Sequence, residues 1–152
     1  MMVYCQRVNA KLGDTMEQIA IDAWKFAVNN LKRSYSPYSC FQVGSCLVDH
    51  ESKLYFGCNV ENASYGATIC AERVAFFKAV SEGSRKFQMI LVLTDTEKPT
   101  PPCALCLQVM AEFCPPDFKI VLSNLQGIQA SYTFKELLSF PFGPSYLLTE
   151  EQ

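Results

Sequence analysis

Apolar residues follow two different periods along the first sixty residues of the chain. From residue 14 to about 33 they recur every three or four positions, which predicts an amphipathic helix. Residues 41–48 carry apolar side chains on both faces and predict a strand that is covered on both sides. Residues 54–61 alternate between apolar and polar positions, and a polar turn over 49–52 separates them from the previous strand. The sequence therefore predicts a helix followed by a β-hairpin.

After the hairpin, helical and strand-like stretches alternate. Between residues 70 and 81 the side chains of Val74, Phe77 and Val80 fall on one stripe, which predicts a helix. Residues 89–94 form an unbroken apolar run between two helices, which is typical of a buried parallel strand. Three further elements are expected: a helix over 103–113, a strand over 119–122 and a last helix from Tyr132 or Thr133 to Leu138.

This order of elements predicts an α/β fold, a three-layer α/β/α sandwich with a mixed β-sheet. We expect one domain over residues 1–152, because no internal repeat and no long linker divides the chain. Residues 1–13 are interpreted as a loose N-terminal extension and residues 141–152 as a C-terminal tail. Helices that follow the hairpin can share one face of the sheet, so their amino termini are expected to meet at one edge.

Composition narrows the class of protein. The chain is 49% hydrophobic and has a formal net charge of −2, which offers no basic surface to a nucleic acid polymer. No apolar run approaches the roughly 18 residues of a membrane span, so no membrane partner is expected. The eight cysteines are scattered along the chain and no signal peptide is expected, which predicts a reducing, cytoplasmic compartment.

Two short stretches combine cysteines with charged residues. Cys70, Glu72 and Arg73 lie within four residues, and Cys103 and Cys106 follow about thirty residues later. Three thiolates at these spacings suit zinc, and three protein ligands leave the fourth position of a tetrahedral site open, as in catalytic zinc sites. The other cysteines are interpreted as small buried hydrophobic residues, namely Cys5, Cys40, Cys46, Cys58 and Cys114.

Helix geometry gives these residues different roles. Arg73 lies three residues after Cys70 and so returns over it, where its charge offsets that of the thiolates. Glu72 projects elsewhere and is expected beside the metal as a proton shuttle rather than on it as a ligand. Pro101 and Pro102 suit a helix entry, which places Cys103 in the first turn and Cys106 one turn later on the same face.

A polar pair precedes the first cysteine motif. Asn59 and Glu61 lie two residues apart at the end of a predicted strand and are therefore expected on the same face. An amide beside a carboxylate suits the hydroxyls of a sugar. On pattern alone, the pair is also compatible with the polar face of an edge strand.

These motifs resemble those of the small, homotetrameric, zinc-dependent cytidine deaminases of pyrimidine salvage, over nearly the whole chain. The motifs occur in the same order and spacing: Ser36-Pro37-Tyr38-Ser39, Phe41-Gln42-Val43-Gly44, Asn59 to Tyr65, Cys70 to Arg73, and Pro102 to Cys106. The resemblance implies hydrolysis of cytidine and deoxycytidine to uridine and deoxyuridine with release of ammonia. It also implies one zinc ion per subunit, a nucleoside as the substrate, and a homotetramer with shared active sites.

The resemblance also assigns roles to individual residues. Those matching Cys70, Cys103 and Cys106 hold zinc, the one matching Glu72 shuttles protons, and the one matching Arg73 hydrogen-bonds the thiolates. Substrate-binding roles fall on the positions of Asn59 and Glu61 (the ribose), of Phe41, Tyr65 and Ala71 (the nucleoside pocket), and of Phe142, whose counterpart enters a neighbouring subunit's site. On sequence alone, Phe142 is equally compatible with packing on its own subunit.

Two positions depart from the family's pattern, and they keep other functions open. The family usually has glycine at the position of Ala104 and arginine at that of Leu107. A crowded helix entry, the loss of a cation near the second metal helix, and reduced or retuned activity are therefore expected. One alternative is a deaminase of another aminopyrimidine, such as blasticidin S. A second alternative is an inactive, zinc-stabilised interaction protein, against which the retained Glu72 argues.

Overall fold

The computed structural model describes residues 14–148, so the predicted extension over 1–13 and the last four residues of the tail lie outside it. The helices are α1 (Asp14–Asn30), α2 (Ala71–Ser81), α3 (Ala104–Phe113) and α4 (Phe134–Leu137). The strands are β1 (Val43–Asp49), β2 (Leu54–Cys58), β3 (Phe87–Thr94), β4 (Lys119–Asn124) and β5 (Gly127–Thr133). None of the helices in this part of the chain combines the length and the apolar character that crossing a membrane requires.

The five strands form one mixed sheet in the order β2-β1-β3-β4-β5. Strand β1 is antiparallel to both β2 and β3, whereas β3 and β4 run parallel. Strand β5 returns antiparallel to β4 and closes that side of the sheet. The mixed sheet is therefore confirmed, and the parallel pairing predicted for residues 89–94 holds on the β4 side only.

Helices cover both faces of the sheet, which confirms the three-layer α/β/α arrangement. Helix α1 and one face form a buried cluster that includes Ala20, Ala23, Ala27, Cys46, Met89 and Leu91. Helices α2 and α3 share the other face in a second cluster that includes Phe76, Ile90, Val92, Leu107 and Met110. Neighbouring residues of β3 alternate between the two clusters because side chains of a strand point to opposite faces.

The buried face of α2 differs from the predicted stripe. Phe77 is 47% exposed, and the residues that face the sheet are instead Ala71, Ala75, Phe76 and Ala79. Small side chains recur every four positions there because the helix lies very close to β2. A Cβ atom at Gly57 would stand 2.1 Å from the Ala71 carbonyl oxygen, so only glycine allows this approach.

The end of the chain also departs from the sequence prediction. Strand β5 was not predicted, because most of its side chains are only half-buried and leave a weak period in the sequence. Tyr132 belongs to this strand, and α4 begins after Thr133. Thr133 caps α4 reciprocally with Glu136, whose carboxylate accepts from the Thr133 backbone N–H at 2.7 Å. The spacing of Thr133 and Glu136 was a usable signal for this helix start.

Candidate active site

Two helix amino termini bring the three predicted metal-binding cysteines together. Cys70 is the N-cap residue of α2 and Cys103 that of α3, while Cys106 lies in the first turn of α3. Each helix therefore begins one residue later than predicted. Neither N-cap side chain caps its own helix, although the Cys70 and Cys103 carbonyls accept the first helical hydrogen bonds. Their sulfur atoms are therefore not used to cap these helices.

The sulfur spacing suits a tetrahedral metal. The Sγ atoms of Cys70 and Cys103 lie 3.8 Å apart, and those of Cys103 and Cys106 lie 3.6 Å apart. All three sulfur atoms lie within 4.8 Å of one another. Zinc–sulfur bonds of about 2.3 Å at tetrahedral angles separate the sulfur atoms by about 3.8 Å. The three thiols therefore fit zinc with one coordination position left for another ligand.

Arg73 and the neighbouring thiols favour a thiolate at Cys70. Hydrogen bonding by the Cys106 thiol, with a further contribution from Arg73, lowers the pKa of Cys70 to about 5, whereas the same pairing raises the pKa of Cys106. The Arg73 Nη2 donates to the Cys70 sulfur at 3.5 Å and to the Thr68 carbonyl at 3.3 Å. The structure thus places Arg73 over Cys70, as the helical spacing predicted.

Glu72 is a buried carboxyl beside these sulfurs. It is 5% exposed and occupies the first turn of α2. Burial raises the pKa of Glu72 to about 7, and the neighbouring Cys70 thiolate acts in the same direction. A carboxyl with a pKa near neutrality can both accept and donate a proton at neutral pH.

A cavity of about 190 Å³ opens beside the cysteines and Glu72. It brings together several residues assigned to the site from sequence: Phe41, Asn59, Cys70, Ala71, Glu72 and Cys103. The other lining residues were not assigned from sequence: Val43, Thr68, Ile69, Val92, Thr94, Thr100 and Pro101. Pro101 carried a signal, since it precedes the second cysteine motif, whereas the strand residues looked like ordinary core. The cavity thus combines the Cys70 and Cys103 thiols and the Glu72 carboxyl with a largely apolar lining that suits a small ring.

Residues 18–122 match the family described as the cytidine and deoxycytidylate deaminase zinc-binding region. The chain belongs to this family. A cytidine deaminase of Halalkalibacterium halodurans is 51% identical over 118 residues, which cover 78% of this chain and 89% of that relative. One from Sporosarcina psychrophila is 47% identical over 111 residues, covering 73% and 82% of the two chains.

Solved structures of the deaminase family share the fold. The crystal structure of cytidine deaminase from Burkholderia pseudomallei superposes with a TM-score of 0.75 at 42% sequence identity. The match covers 82% of this chain and 98% of the other. Zinc is the cofactor named in the family's own description, and the spacing of the three thiols accommodates it.

Three residues assigned to substrate binding from sequence do not line this cavity within one chain. Glu61 and Tyr65 border a neighbouring cavity of about 350 Å³ together with Tyr38, Ser39 and Thr68. The Glu61 carboxylate accepts hydrogen bonds from the Ser39 hydroxyl and from the backbone N–H groups of Tyr38 and Ser39, which lower the pKa of Glu61. Asn59 and Glu61 thus face different cavities, although the sequence placed them on one face.

Phe142 is the third of these residues. Its side chain is 57% exposed and stacks on Tyr146, with ring centroids 5.4 Å apart. Gln108 of α3 donates to the Phe142 carbonyl at 2.7 Å, which ties the C-terminal segment to the second metal helix. The backbone is therefore anchored near the deaminase site while the ring remains open to solvent.

The two departures from the family's pattern lie outside the cavity lining. Leu107 is 7% exposed and belongs to the core cluster between α2, α3 and the sheet. Ala104 is exposed, so within this chain the expected crowding of the helix entry does not occur. Arg73 is the only arginine or lysine that hydrogen-bonds one of the three clustered thiols within residues 14–148.

The remaining cysteines only partly fit their interpretation as buried residues. Cys46 is fully buried, and this burial raises the pKa of its thiol to about 12, while Cys58 and Cys114 are half-buried. Cys40 is exposed, with a φ of 55°, so the prediction is wrong there. It stands in the turn before β1 rather than in the strand. Cys5 lies outside the described residues.

Proposed function

We propose that this protein catalyses the hydrolytic deamination of cytidine and deoxycytidine to uridine and deoxyuridine, with release of ammonia. One observation carries the proposal: the buried Glu72 carboxyl, with a pKa of about 7, lines the same cavity as Cys70 and Cys103. A closed structural metal site needs no buried proton carrier at its side. The names of the relatives, cytidine deaminases of up to 51% identity, support the choice of substrate.

In this proposal, Cys70, Cys103 and Cys106 hold one zinc ion. Zinc bound there supplies Lewis acidity, which activates a water molecule as the nucleophile. Arg73 offsets part of the negative charge of the three sulfurs from its position over Cys70. Because Cys70 and Cys103 also line the cavity, they would hold the metal beside the space that a substrate ring can enter.

Glu72 moves the protons of the reaction. Its carboxylate takes a proton from the attacking water and delivers it to N3 of the pyrimidine as the oxygen bonds to C4. A second proton passes through Glu72 to the amino group, which leaves as ammonia while the C4 carbonyl forms. One water is consumed for each ammonia released, and a pKa near 7 lets the same group act as base and acid.

Binding of the nucleoside is assigned to the rest of the cavity. Phe41 and Ala71 line it where the base would lie, and Asn59 offers a polar group to the sugar. Glu61 is assigned to the sugar as well. Its side chain lies at the neighbouring cavity, which adjoins the first one through their shared residue Thr68.

We further propose that the protein forms a homotetramer with shared active sites. Its surface carries two sets of large, exposed aromatic side chains. The first is Tyr35, Tyr38 and Tyr65, and the second, near the C-terminal end, is Phe140, Phe142 and Tyr146. Exposed apolar surface of this kind is typical of protein interfaces. Phe142 would then complete a neighbouring subunit's site. Light scattering coupled to gel filtration tests this proposal, and a monomer of 17.1 kDa that is fully active would contradict it.

A cytoplasmic role in pyrimidine salvage fits the same chemistry. All seven cysteines among residues 14–148 are free, and the three clustered thiols must stay reduced to bind metal. A reducing compartment provides that condition. Cell fractionation with an antibody against the native chain tests the location.

The direct test is the ultraviolet absorbance of cytidine mixed with the zinc-loaded protein, with ammonia assayed in the same sample. Conversion to uridine with an equal amount of ammonia supports the proposal. Parallel assays with deoxycytidine and blasticidin S separate nucleoside deamination from action on another aminopyrimidine. A protein that holds one zinc per chain and converts none of these substrates would contradict the proposed activity.

A further inference from the structure

The Asn59 side chain is held by three hydrogen bonds, two to the segment that precedes β1 and one to the first residue of β1. Its Oδ1 accepts from the Val43 backbone N–H at 3.0 Å and from the Ser34 hydroxyl at 2.5 Å. Its Nδ2 donates to the Phe41 carbonyl at 2.8 Å. Asn59 is 7% exposed and lines the cavity beside Glu72, so these bonds fix a polar group in the wall of the site.

These bonds determine what Asn59 can offer to a ligand. An amide oxygen has two lone pairs, and here both are occupied. The amide nitrogen has two hydrogens, of which one is used by Phe41. The second N–H has no protein partner among the described residues. Asn59 therefore presents a hydrogen-bond donor to the cavity, which suits the oxygen of a sugar hydroxyl.

Ser34 is itself held in place by the backbone. Its N–H donates to the Leu31 carbonyl at 2.9 Å, at the end of a short 3₁₀ helix over Leu31–Arg33. The next residue, Tyr35, donates to the Asn59 carbonyl at 3.0 Å. The Ser34 hydroxyl is thus fixed between two backbone anchors and is aimed at the Asn59 oxygen.

We propose that Ser34 is a positioning residue for sugar recognition: it occupies the second lone pair of the Asn59 oxygen and so keeps the Asn59 N–H directed to the substrate's hydroxyls. This inference rests on the proposed deaminase activity. The hydrogen bonds to Val43 and Phe41 fix the orientation of the Asn59 amide oxygen and nitrogen. The hydrogen bond from Ser34 further restricts rotation of the amide. Without it, the oxygen would accept a hydrogen bond from water or from the substrate itself, and the donor would lose its fixed direction.

Steady-state kinetics on zinc-loaded Ser34→Ala, with two substrates, test the proposal. For cytidine, we expect KM to rise about fivefold with kcat unchanged, because a binding interaction common to ground state and transition state is weakened. For 2′,3′-dideoxycytidine, which lacks the 2′- and 3′-hydroxyls and keeps only the 5′-hydroxyl, KM should differ by less than twofold between wild type and variant if Asn59 binds the 2′- or 3′-hydroxyl. Ser34→Thr retains the hydroxyl and should restore the cytidine KM.

Ser36→Ala is the matched control, because Ser36 contacts the Ser34 hydroxyl at 3.4 Å but does not touch Asn59. It should leave both KM values unchanged. An equal rise of KM for both substrates in Ser34→Ala, or no rise for cytidine, would overturn the role of Ser34 even if the variant is less stable. Wild-type protein that does not convert cytidine would instead contradict the proposed function.

Discussion

Glu72 and Asp49 are two carboxyl groups with similarly low solvent exposure and opposite pKa shifts. Glu72 is 5% exposed and lines the cavity beside Val43, the first residue of β1, whereas Asp49 is 4% exposed and ends the same strand. Burial raises the pKa of Glu72 to about 7. For Asp49 burial acts in the same direction, but hydrogen bonds outweigh it and lower its pKa.

Depth and the number of donors explain the difference. Asp49 lies nearer the protein surface, so burial penalises its charge less than that of Glu72. One Asp49 oxygen accepts from the backbone N–H groups of Glu51 and Lys53, each at 2.9 Å. The other accepts from the hydroxyls of Tyr55 and Ser84, each at 3.1 Å. Glu72 has a thiolate beside it and fewer donors, so its charge is poorly stabilised. At the hairpin end of β1, hydrogen bonds therefore stabilise the charged form of Asp49. At the cavity end, the pKa of Glu72 lies near neutrality, so this carboxyl can exchange its proton.

The largest expected effect is the loss of activity in Glu72→Gln. We expect kcat to fall about 10³-fold, because proton transfer by a positioned side chain contributes about 10²- to 10⁴-fold. Zinc content should stay at one per chain and thermal stability should be equal or higher, since a neutral amide removes the cost of a buried charge. The assays are cytidine turnover, metal analysis and thermal unfolding. Loss of zinc together with activity would instead make Glu72 a ligand.

Asp49→Asn should show the reverse pattern. We expect the free energy of unfolding to fall by about 2 kcal/mol, because hydrogen bonds to a charged acceptor contribute about 1.5–3 kcal/mol. The value of kcat for cytidine should stay within twofold, since Asp49 lies at the far end of β1. Urea unfolding and the cytidine assay measure the two quantities. A variant that is inactive while fully folded would show that the two ends of β1 are coupled.

The pH dependence of the free energy of unfolding tests whether the folded protein stabilises the charged form of Asp49. Its folded-state pKa is lower than its unfolded value of about 3.9, so its contribution is fully present above that pH and is lost as pH falls through the folded pKa. The wild-type free energy of unfolding should thus fall more steeply than that of Asp49→Asn as pH drops from about 5 to about 3. Urea midpoints at half-unit pH steps measure the slopes, and parallel slopes would contradict the assignment.

The smallest expected effect is that of removing a single donor to Asp49. Tyr55→Phe should cost about 1 kcal/mol, typical of one hydrogen bond, and Ser84→Ala about the same. Because both hydroxyls bind one oxygen, the double variant should cost more than the sum of the two. Urea unfolding of the four proteins gives the coupling, and strict additivity would show that solvent replaces the missing donors.

The metal-binding and proton-transfer residues could be predicted because they fall into two groups that each span only a few residues. Cys70 to Arg73 and Cys103 to Cys106 each cover one helical turn, so the period of a helix is enough to orient their side chains. The parallel β3–β4 pair that brings the turns together also leaves a signal, because β3 is an unbroken apolar run between two helices. This part of the site and the three-layer fold were therefore predictable.

Contacts between residues distant in sequence were not predictable in the same way. Strand period placed Asn59 and Glu61 on one face, but regular pairing in β2 ends at Cys58, and the two side chains reach different cavities. The Ser34 hydroxyl on Asn59 joins positions 25 residues apart and leaves no pattern in the sequence. The face of α2 was misassigned because its approach to Gly57 selects alanines, which a hydrophobic stripe does not reveal.

The sequence by itself determined the chemistry: three thiols, one carboxyl and one guanidinium, each placed by local helix geometry. Tertiary structure alone decided how those groups behave, because burial and hydrogen bonding depend on the neighbours that the fold supplies. It gave Glu72 a pKa near 7 and Asp49 four donors, although neither the burial nor the hydrogen bonds of these residues can be seen in the sequence. It also brought the hydroxyl of Ser34, which follows a short helix, into a hydrogen bond with Asn59 in the wall of the cavity.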